Sequence, residues 1–313
     1  MNIILGNSSY PNHMTDEGDQ LQRSLADAGW VLCGDGERNV IKLLDRHQPE
    51  IVFVQDVRDW HKSQGGSFGR KDLHYDNCEA LKDHPSFKVT PVKDAGSCIE
   101  FQRDFAASIG LNAAVVYYHP KSVLNHSTWL KNTPLIRHYH TVDSVLTSQL
   151  CLNKDRKRAI VTGALNERVY PLRGRIFRLA QQIGVTTKKH PGYSNTGSDT
   201  PAYLKEISGY KVHVKTASDY GFALRGIVES VACGCTCVTN LPDYDVLPEI
   251  DGALIRIPSD ATDKDIRRAV DRAEAEWSHE KAMVYAAKAN DYYDYRKAGL
   301  RLSENIIRAK ESR

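Results

Sequence analysis

The sequence predicts an α/β chain built on open, largely parallel sheets, and three observations carry that expectation. Short apolar runs such as Ile51–Val54 lack polar alternation, as strands do when a parallel sheet buries both their faces. Segments with helical spacing of apolar residues fall between those runs. The alternation stops at a charged stretch, 152–158 (LNKDRKR), and then restarts, so the chain reads as two similar α/β halves joined by a linker.

Taken in order, Asn2–Leu5 is an apolar strand that empties into Gly6-Asn7-Ser8-Ser9, the form of a strand-to-helix turn. Leu21, Leu25 and Ala28 place a helix over 19–28, and 30–33 reads as the second strand. A helix over 40–46 stops near Pro49, ahead of the strand Ile51–Val54. Residues 56–77, with Gly65, Gly66 and Gly69 and little periodicity, are too long for a plain connection and predict a binding loop or lid. Strands resume at 88–92 and 113–118, the latter running into His119-Pro120; 122–131 reads as helical, and Pro134 precedes a further run over 135–140. In the second half, 159–162 is a strand ending at Gly163, and Ile176, Leu179, Ala180 and Ile183 share one face of a helix over 173–183. Strands at 211–214, 236–239 and 253–257 alternate with helices at 224–232 and 263–277, the last with Thr262 as its N-cap. Residues 281–308 are strongly helical in composition.

At 313 residues the chain is long enough for two domains of about 150. Its 42 basic and 39 acidic residues leave a net charge of +3, which excludes a histone-like nucleic-acid binder but leaves room for a local basic groove. A 41% hydrophobic and 26% charged composition excludes a disordered chain. No run approaches the ~18 apolar residues of a membrane span, and the first residues have neither the basic segment nor the apolar run of a signal peptide. Seven cysteines, an odd number, suit a reducing compartment, so a cytoplasmic protein is expected, in a host cytoplasm if a phage encodes it. Cys233, Cys235 and Cys237 have no histidine beside them and read as small buried residues rather than metal ligands. No G-x-G-x-x-G follows the first strand, against a dehydrogenase, and no GxxxxGK[ST] exists, against a P-loop NTPase.

Open α/β sheets hold ligands at the carboxyl ends of their strands. The loops of interest are therefore 6–9, the one opening with Asp56, His119, 138–143, 163–173, 215–221 and 240–247. The richest stretch is 211–242, where a strand leads through Thr216-Ala217-Ser218-Asp219-Tyr220-Gly221 into a helix carrying Glu229. A helix start approached through glycine offers amides and a positive dipole end to a phosphate, and Glu229 would then reach a ribose hydroxyl. Arg168, Arg173 and Arg175 gather after the strand that ends at Gly163. Their guanidinium forks could clamp a diphosphate and stabilise a departing nucleoside diphosphate, or form a solvated arginine face.

Together these residues resemble the donor-binding half of GT-B glycosyltransferases of the group 1 type. The resemblance runs over about 159–257: strand, Tyr220-Gly221 loop, the helix with Gly226-Ile227-Val228-Glu229-Ser230, the Ala232-Cys233-Gly234-Cys235 turn, a strand, and Leu241-Pro242 followed by Leu247-Pro248. It implies two Rossmann-like domains facing a central cleft, an acceptor domain over 1–150 and a nucleotide-sugar domain over 151–285, with a C-terminal helix over 286–313 packing back on the first. Glu229 matches the glutamate that holds the donor ribose, and Arg168 and Arg173, five apart, resemble the basic pair on the donor diphosphate. The donor implied is a nucleotide-sugar, with UDP the favoured nucleotide and no separate cofactor or metal-ligating residues expected; the sugar, the nucleotide and the need for a metal stay open. Many retaining members carry a further glutamate eight residues before the ribose one; here that position is Gly221, so Asp219 or the backbone of Tyr220, Gly221 and Phe222 is left to hold the sugar.

Transfer with inversion needs a base for the acceptor hydroxyl. Asp56, directly after a strand, is the first candidate, with His119 and His140 beside it; capping and loop-bracing are the competing roles, as for Asp143. For the acceptor, Ser8 sits in the first turn, and 56–77 interleaves Arg58, Lys62, Arg70 and Lys71 with Trp60, Phe68, His74 and Tyr75. Cations between stacking rings suit a nucleic acid with an extruded base. The favoured acceptor is therefore a hydroxymethylated pyrimidine in double-stranded DNA, as for some phage enzymes. A surface polysaccharide, a small molecule or a protein are the rival acceptors. A nucleotide-sugar epimerase and a non-catalytic nucleotide-binding protein are the rival functions. No basic amphipathic helix for membrane docking is evident, and the oligomeric state stays open.

Overall fold

The computed structural model describes residues 1–6, 17–33, 36–55, 75–96, 98–189 and 200–313. Its contacts divide the chain into two units, the described residues up to Tyr139 together with Ala298–Arg313, and His140–Lys297.

The sheet of the first unit runs through β1 (Asn2–Leu5), β2 (Val31–Cys33), β3 (Ile51–Val54), β4 (Phe87–Val92), β5 (Ala113–Val116) and β6 (Leu135–Arg137). Its order is β2-β1-β3-β4-β5-β6, with every pairing parallel. β3 and β5 are buried at every position, which is why they read as unbroken apolar runs. The helices α1 (Glu17–Asp27), α2 (Val40–His47), α3 (Ile99–Ser108) and α4 (Pro120–His126) cross between the strands. Leu43 and Leu44 of α2 pack with Ile3, Val52 and Ile109 in one apolar cluster. The helix expected over 122–131 is shorter: α4 ends at His126, and Thr128–Asn132 is a separate 3-10 turn in which Leu130 is buried.

The second unit repeats the design with β7 (Lys157–Gly163), β8 (Thr186–Lys189), β9 (Tyr210–Val214), β10 (Thr236–Thr239) and β11 (Leu254–Arg256), in the order β11-β10-β9-β7-β8 and again all parallel. Its helices are α5 (Ser144–Leu150), α6 (Pro171–Leu179), α7 (Thr200–Ile207), α8 (Arg225–Ala232), α9 (Asp263–Ala275) and α10 (His279–Tyr292). Thr262 caps α9, its hydroxyl accepting from Asp265 N while Asp265 accepts from the Thr262 amide. All eight residues of α8 are buried, as expected of a helix apolar on most of its circumference. The charged stretch 152–158 is more than a connection: Lys157 and Arg158 open β7, and Arg156 is buried. From Ala298 onward α11 (Tyr295–Glu311) belongs to the first unit. There Trp30 Nε1 donates to Ser303 Oγ at 2.8 Å, and Gly299 lies against Ser24 where a Cβ would collide.

Candidate functional site at the carboxyl edge of the second sheet

β7 ends in Gly163, whose φ of +124° suits glycine, and the chain turns through 164–170 into α6. Arg173, one turn into α6, is 2% exposed and reaches back across the strand ends. Its Nη1 donates to Ala164 O (3.2 Å), its Nε to Thr216 Oγ1 (3.1 Å) and its Nη2 to Thr216 O (3.0 Å), while its guanidinium stacks 3.8 Å over the Tyr170 ring. A Cβ on Gly163 would lie 2.7 Å from Arg173 Nη1, so glycine there admits the guanidinium. Arg173 thus ties the loop after β7 to the loop after β9. Arg168 is exposed on the loop after β7, and Arg175 points elsewhere, to Asp263 and to Ala261 O. The three arginines do not form one fork.

The loop after β9 is a tight turn. Gly221, at φ +69°, donates its amide to Ser218 O (2.9 Å), Phe222 N donates to Ser218 Oγ (3.3 Å), and Asp219 N donates to Val169 O (2.7 Å). Phe222 is buried against Tyr220, and the Asp219 side chain is exposed. Asn240, after β10, accepts from Ala217 N (2.8 Å) and donates to Ser259 Oγ (3.1 Å), joining the loops of three neighbouring strands.

Beneath the turn, α8 carries Glu229, 6% exposed, with Arg225 Nε 3.2 Å from its Oε1. Arg225 Nε also donates to Thr141 O (3.1 Å). On the sheet face under α8 lies a polar chain that the sequence did not reveal. His213, fully buried in β9, has Nδ1 2.6 Å from Ser230 Oγ and Nε2 2.9 Å from Thr162 Oγ1. Ser230 Oγ donates onward to Gly226 O, so it accepts from His213 Nδ1–H, and Nε2 accepts from the Thr162 hydroxyl. Thr162 Oγ1 in turn accepts from Tyr203 OH (3.3 Å) and from Lys215 Nζ (3.5 Å). Burial, with Lys215 and Arg173 nearby, keeps the His213 imidazole neutral, its pKa well below the ordinary 6.5. Burial and then the Arg173 charge lower the Lys215 ammonium to about 8, while Glu229 and Cys237 act the other way. The signal for this chain was the odd placement of His213 and Lys215 in and beside a strand otherwise apolar.

Of the other candidates, His119 is half-buried and caps α4, its Nδ1 accepting from Lys121 N at 3.2 Å. His140 is half-buried at the start of the second unit, and Asp143 caps α5 by accepting from Val145 N (3.2 Å). Ser8, Asp56, Arg58, Trp60, Arg70 and Lys71 lie outside the described residues. Tyr75, expected among the stacking rings, is instead buried: its hydroxyl donates to Gly6 O (2.6 Å) and to Cys33 O, bracing the ends of β1 and β2. Cys233, Cys235 and Cys237 are buried where α8 turns into β10. Among the described residues no helix is long and apolar enough to cross a membrane, and no three His, Cys, Asp or Glu side chains are grouped to hold a metal.

No protein-family model matches the chain, and no curated protein matches it. Solved structures do. A sucrose-phosphate synthase from Thermosynechococcus elongatus matches with a TM-score of 0.57 at 12% identity, over 100% of this chain and 99% of that one. A glycosyltransferase from Rickettsia africae matches at 0.51 and 9% identity, over 99% and 97%. HepE of Anabaena, solved with UDP-glucose, matches at 0.51 and 12% identity, over 98% and 99%. At such identities the likeness is one of fold, and the two parallel-sheet units are those of the GT-B fold.

Proposed function

We propose that the chain is a glycosyltransferase, moving a sugar from a nucleotide-sugar donor held by the second unit to a hydroxyl acceptor. The observation that carries this reading is the buried Glu229 on α8, set beside a cationic carboxyl edge in a GT-B fold. In this reading Glu229 accepts from the donor ribose hydroxyls. Arg168 meets the diphosphate from its exposed loop, and Arg173 acts by holding the loops after β7 and β9 in register. The sugar lies against the turn of Asp219, Tyr220, Gly221 and Phe222. As the bond from the anomeric carbon to the diphosphate breaks, Arg168 takes up part of the charge left on the nucleoside diphosphate. A base drawn from Asp56, His119 and His140 removes the acceptor proton if configuration inverts. HepE is described in complex with UDP and with UDP-glucose, which favours a UDP-linked donor here. The acceptor proposed from the sequence, a hydroxymethylated base in DNA, rests on residues 56–77 alone, of which only 75–77 are described.

The test is a thermal-shift panel of UDP, GDP, CDP, ADP, TDP and NAD. A ligand at 100 times its Kd adds about 2.7 kcal/mol of stability, a plain upward shift of Tm. The expected result is a shift with one nucleoside diphosphate, followed by sugar release from the matching nucleotide-sugar. A shift with NAD alone, or with none of the panel, overturns the reading. For the acceptor, a gel shift on duplex DNA that shows no salt-sensitive binding removes DNA.

A further inference from the structure

Among the described residues of the second unit, three basic side chains, Arg156, Arg173 and Lys215, lie so close to a glycine that a Cβ there would be under 3 Å away, and one of them is unlike the others. Arg156 and Arg173 each spend their guanidinium on several protein acceptors. Lys215 does not. Among the described residues its single hydrogen bond is the 3.5 Å contact to Thr162 Oγ1, at the far limit of such bonds, and no carboxylate pairs with it. Its other close neighbours are the Tyr203 ring, 5.9 Å from Nζ, and the backbone of α8 at Gly226, where a Cβ would fall 2.9 Å from Nζ. The charged and titratable groups around it are Arg173 from α6, Glu229 from α8, Tyr203 from α7, Cys237 from β10 and His213 from its own strand. A half-buried ammonium beside a guanidinium, with Glu229 near but in no direct ion pair with it among the described residues, is a costly arrangement unless an anion completes it.

Two features hold the ammonium in place. Gly226 leaves the room in which the lysine chain lies. Thr162 cannot turn away, because its hydroxyl donates to His213 Nε2, which is itself fixed by Ser230. Lys215 follows β9, a central strand, at the edge where α/β sheets receive ligands.

We infer that Lys215 is an anion-binding residue of this edge and donates to a phosphate oxygen of the nucleoside diphosphate. The inference rests on the donor reading above and assigns a residue that its motif does not contain. Lysine serves here as a compact point charge, suited to an oxygen whose charge grows as the sugar departs.

The test is calorimetric titration of UDP and of uridine, or of whichever nucleoside diphosphate the panel selects with its nucleoside, into the whole chain. Lys215→Met should weaken diphosphate binding about 10- to 100-fold and leave the nucleoside unchanged, with Lys215→Arg in between. Gly226→Ala, which expels the lysine without removing it, should reproduce the Met variant. In the wild type the diphosphate affinity should fall as pH rises past about 8, whereas Lys215→Arg should hold its affinity through that range. Wild-type diphosphate affinity in the Met variant overturns the inference and leaves the donor reading standing. Equal losses for nucleoside and diphosphate also overturn it, since the residue would then be structural. A wild-type chain that binds no nucleoside diphosphate overturns both.

Discussion

The two edges of the second sheet bury cations in opposite ways. At the amino edge Arg156, 9% exposed, donates to Asn153 O (2.8 Å), Tyr210 O (3.1 Å), Cys151 O (3.0 Å) and Cys233 O (2.9 Å), and its guanidinium lies 5.7 Å from the Trp277 ring. At the carboxyl edge Lys215 has, among the described residues, one long bond to a hydroxyl. The difference separates a cation that closes a structure from one left with capacity to bind. A guanidinium whose donors are met by carbonyls stabilises the chain and offers nothing to a ligand, whereas an under-used ammonium is a cost to the empty protein. Arg173 stands at the carboxyl edge but is built like Arg156, even to the positive-φ glycine beside it: Gly234 lies 2.7 Å, by its missing Cβ, from Arg156 Nη2, and Gly163 equally close to Arg173 Nη1.

The comparison breaks first at Arg156. Arg156→Met should lower the free energy of unfolding by about 3–5 kcal/mol, since four carbonyls, three of them in buried contacts, lose their donor, with nucleotide affinity of the folded protein unchanged. Urea titration and calorimetry on the same variant measure both, and a loss of affinity without loss of stability would reverse the assignment. Next are the glycines. Gly234→Ala and Gly163→Ala should each cost about 2–3 kcal/mol from strained φ and displaced guanidinium. Only the second should also weaken diphosphate binding, because only Arg173 ties the loops after β7 and β9.

A smaller effect is pH-dependent. His213 is held neutral when folded, with its pKa below 6.5, so the unfolded chain binds more protons in that range. Its contribution is complete above pH 6.5 and is lost as pH falls below it, by up to about 1.4 kcal/mol per pH unit. His213→Gln should flatten that part of the stability curve between pH 7.5 and 5, and two parallel curves would refute the buried neutral imidazole. The smallest effect has the opposite sign to the first. Lys215→Met should raise stability at pH 7 by about 1 kcal/mol, since it removes a desolvated charge that no direct ion pair offsets among the described residues. A destabilised Met variant would mean that the ammonium has a structural role.

The sequence made the frame legible where one residue's environment repeats along an element. Ile51–Val54 and Thr236–Thr239 read as strands because the sheet buries them, and Thr262 with Asp265 announced α9 because a capping box is local. β8, Thr-Thr-Lys-Lys, escaped because it is an edge strand, mostly exposed, with nothing apolar to repeat. Glu229 and the loop before it were visible through motif spacing. Lys215 was not, since its meaning lies in the groups packed around it, and these come from α6, α7, α8 and β7, far apart in sequence. Arg173 was visible as a cation, but its engagement with Ala164 and Thr216 depends on two loops meeting across the sheet.

The return of α11 to the first unit has a consequence for how the protein is made. Trp30 waits for Ser303, a hydrogen-bond partner 273 residues later in the chain, while His140–Lys297, made in between, belong to the other unit. On a ribosome the second unit can therefore close as soon as it emerges, but the first must hold an unfinished face around Trp30 and Ser24 until translation has passed through its neighbour. The element made first is completed last.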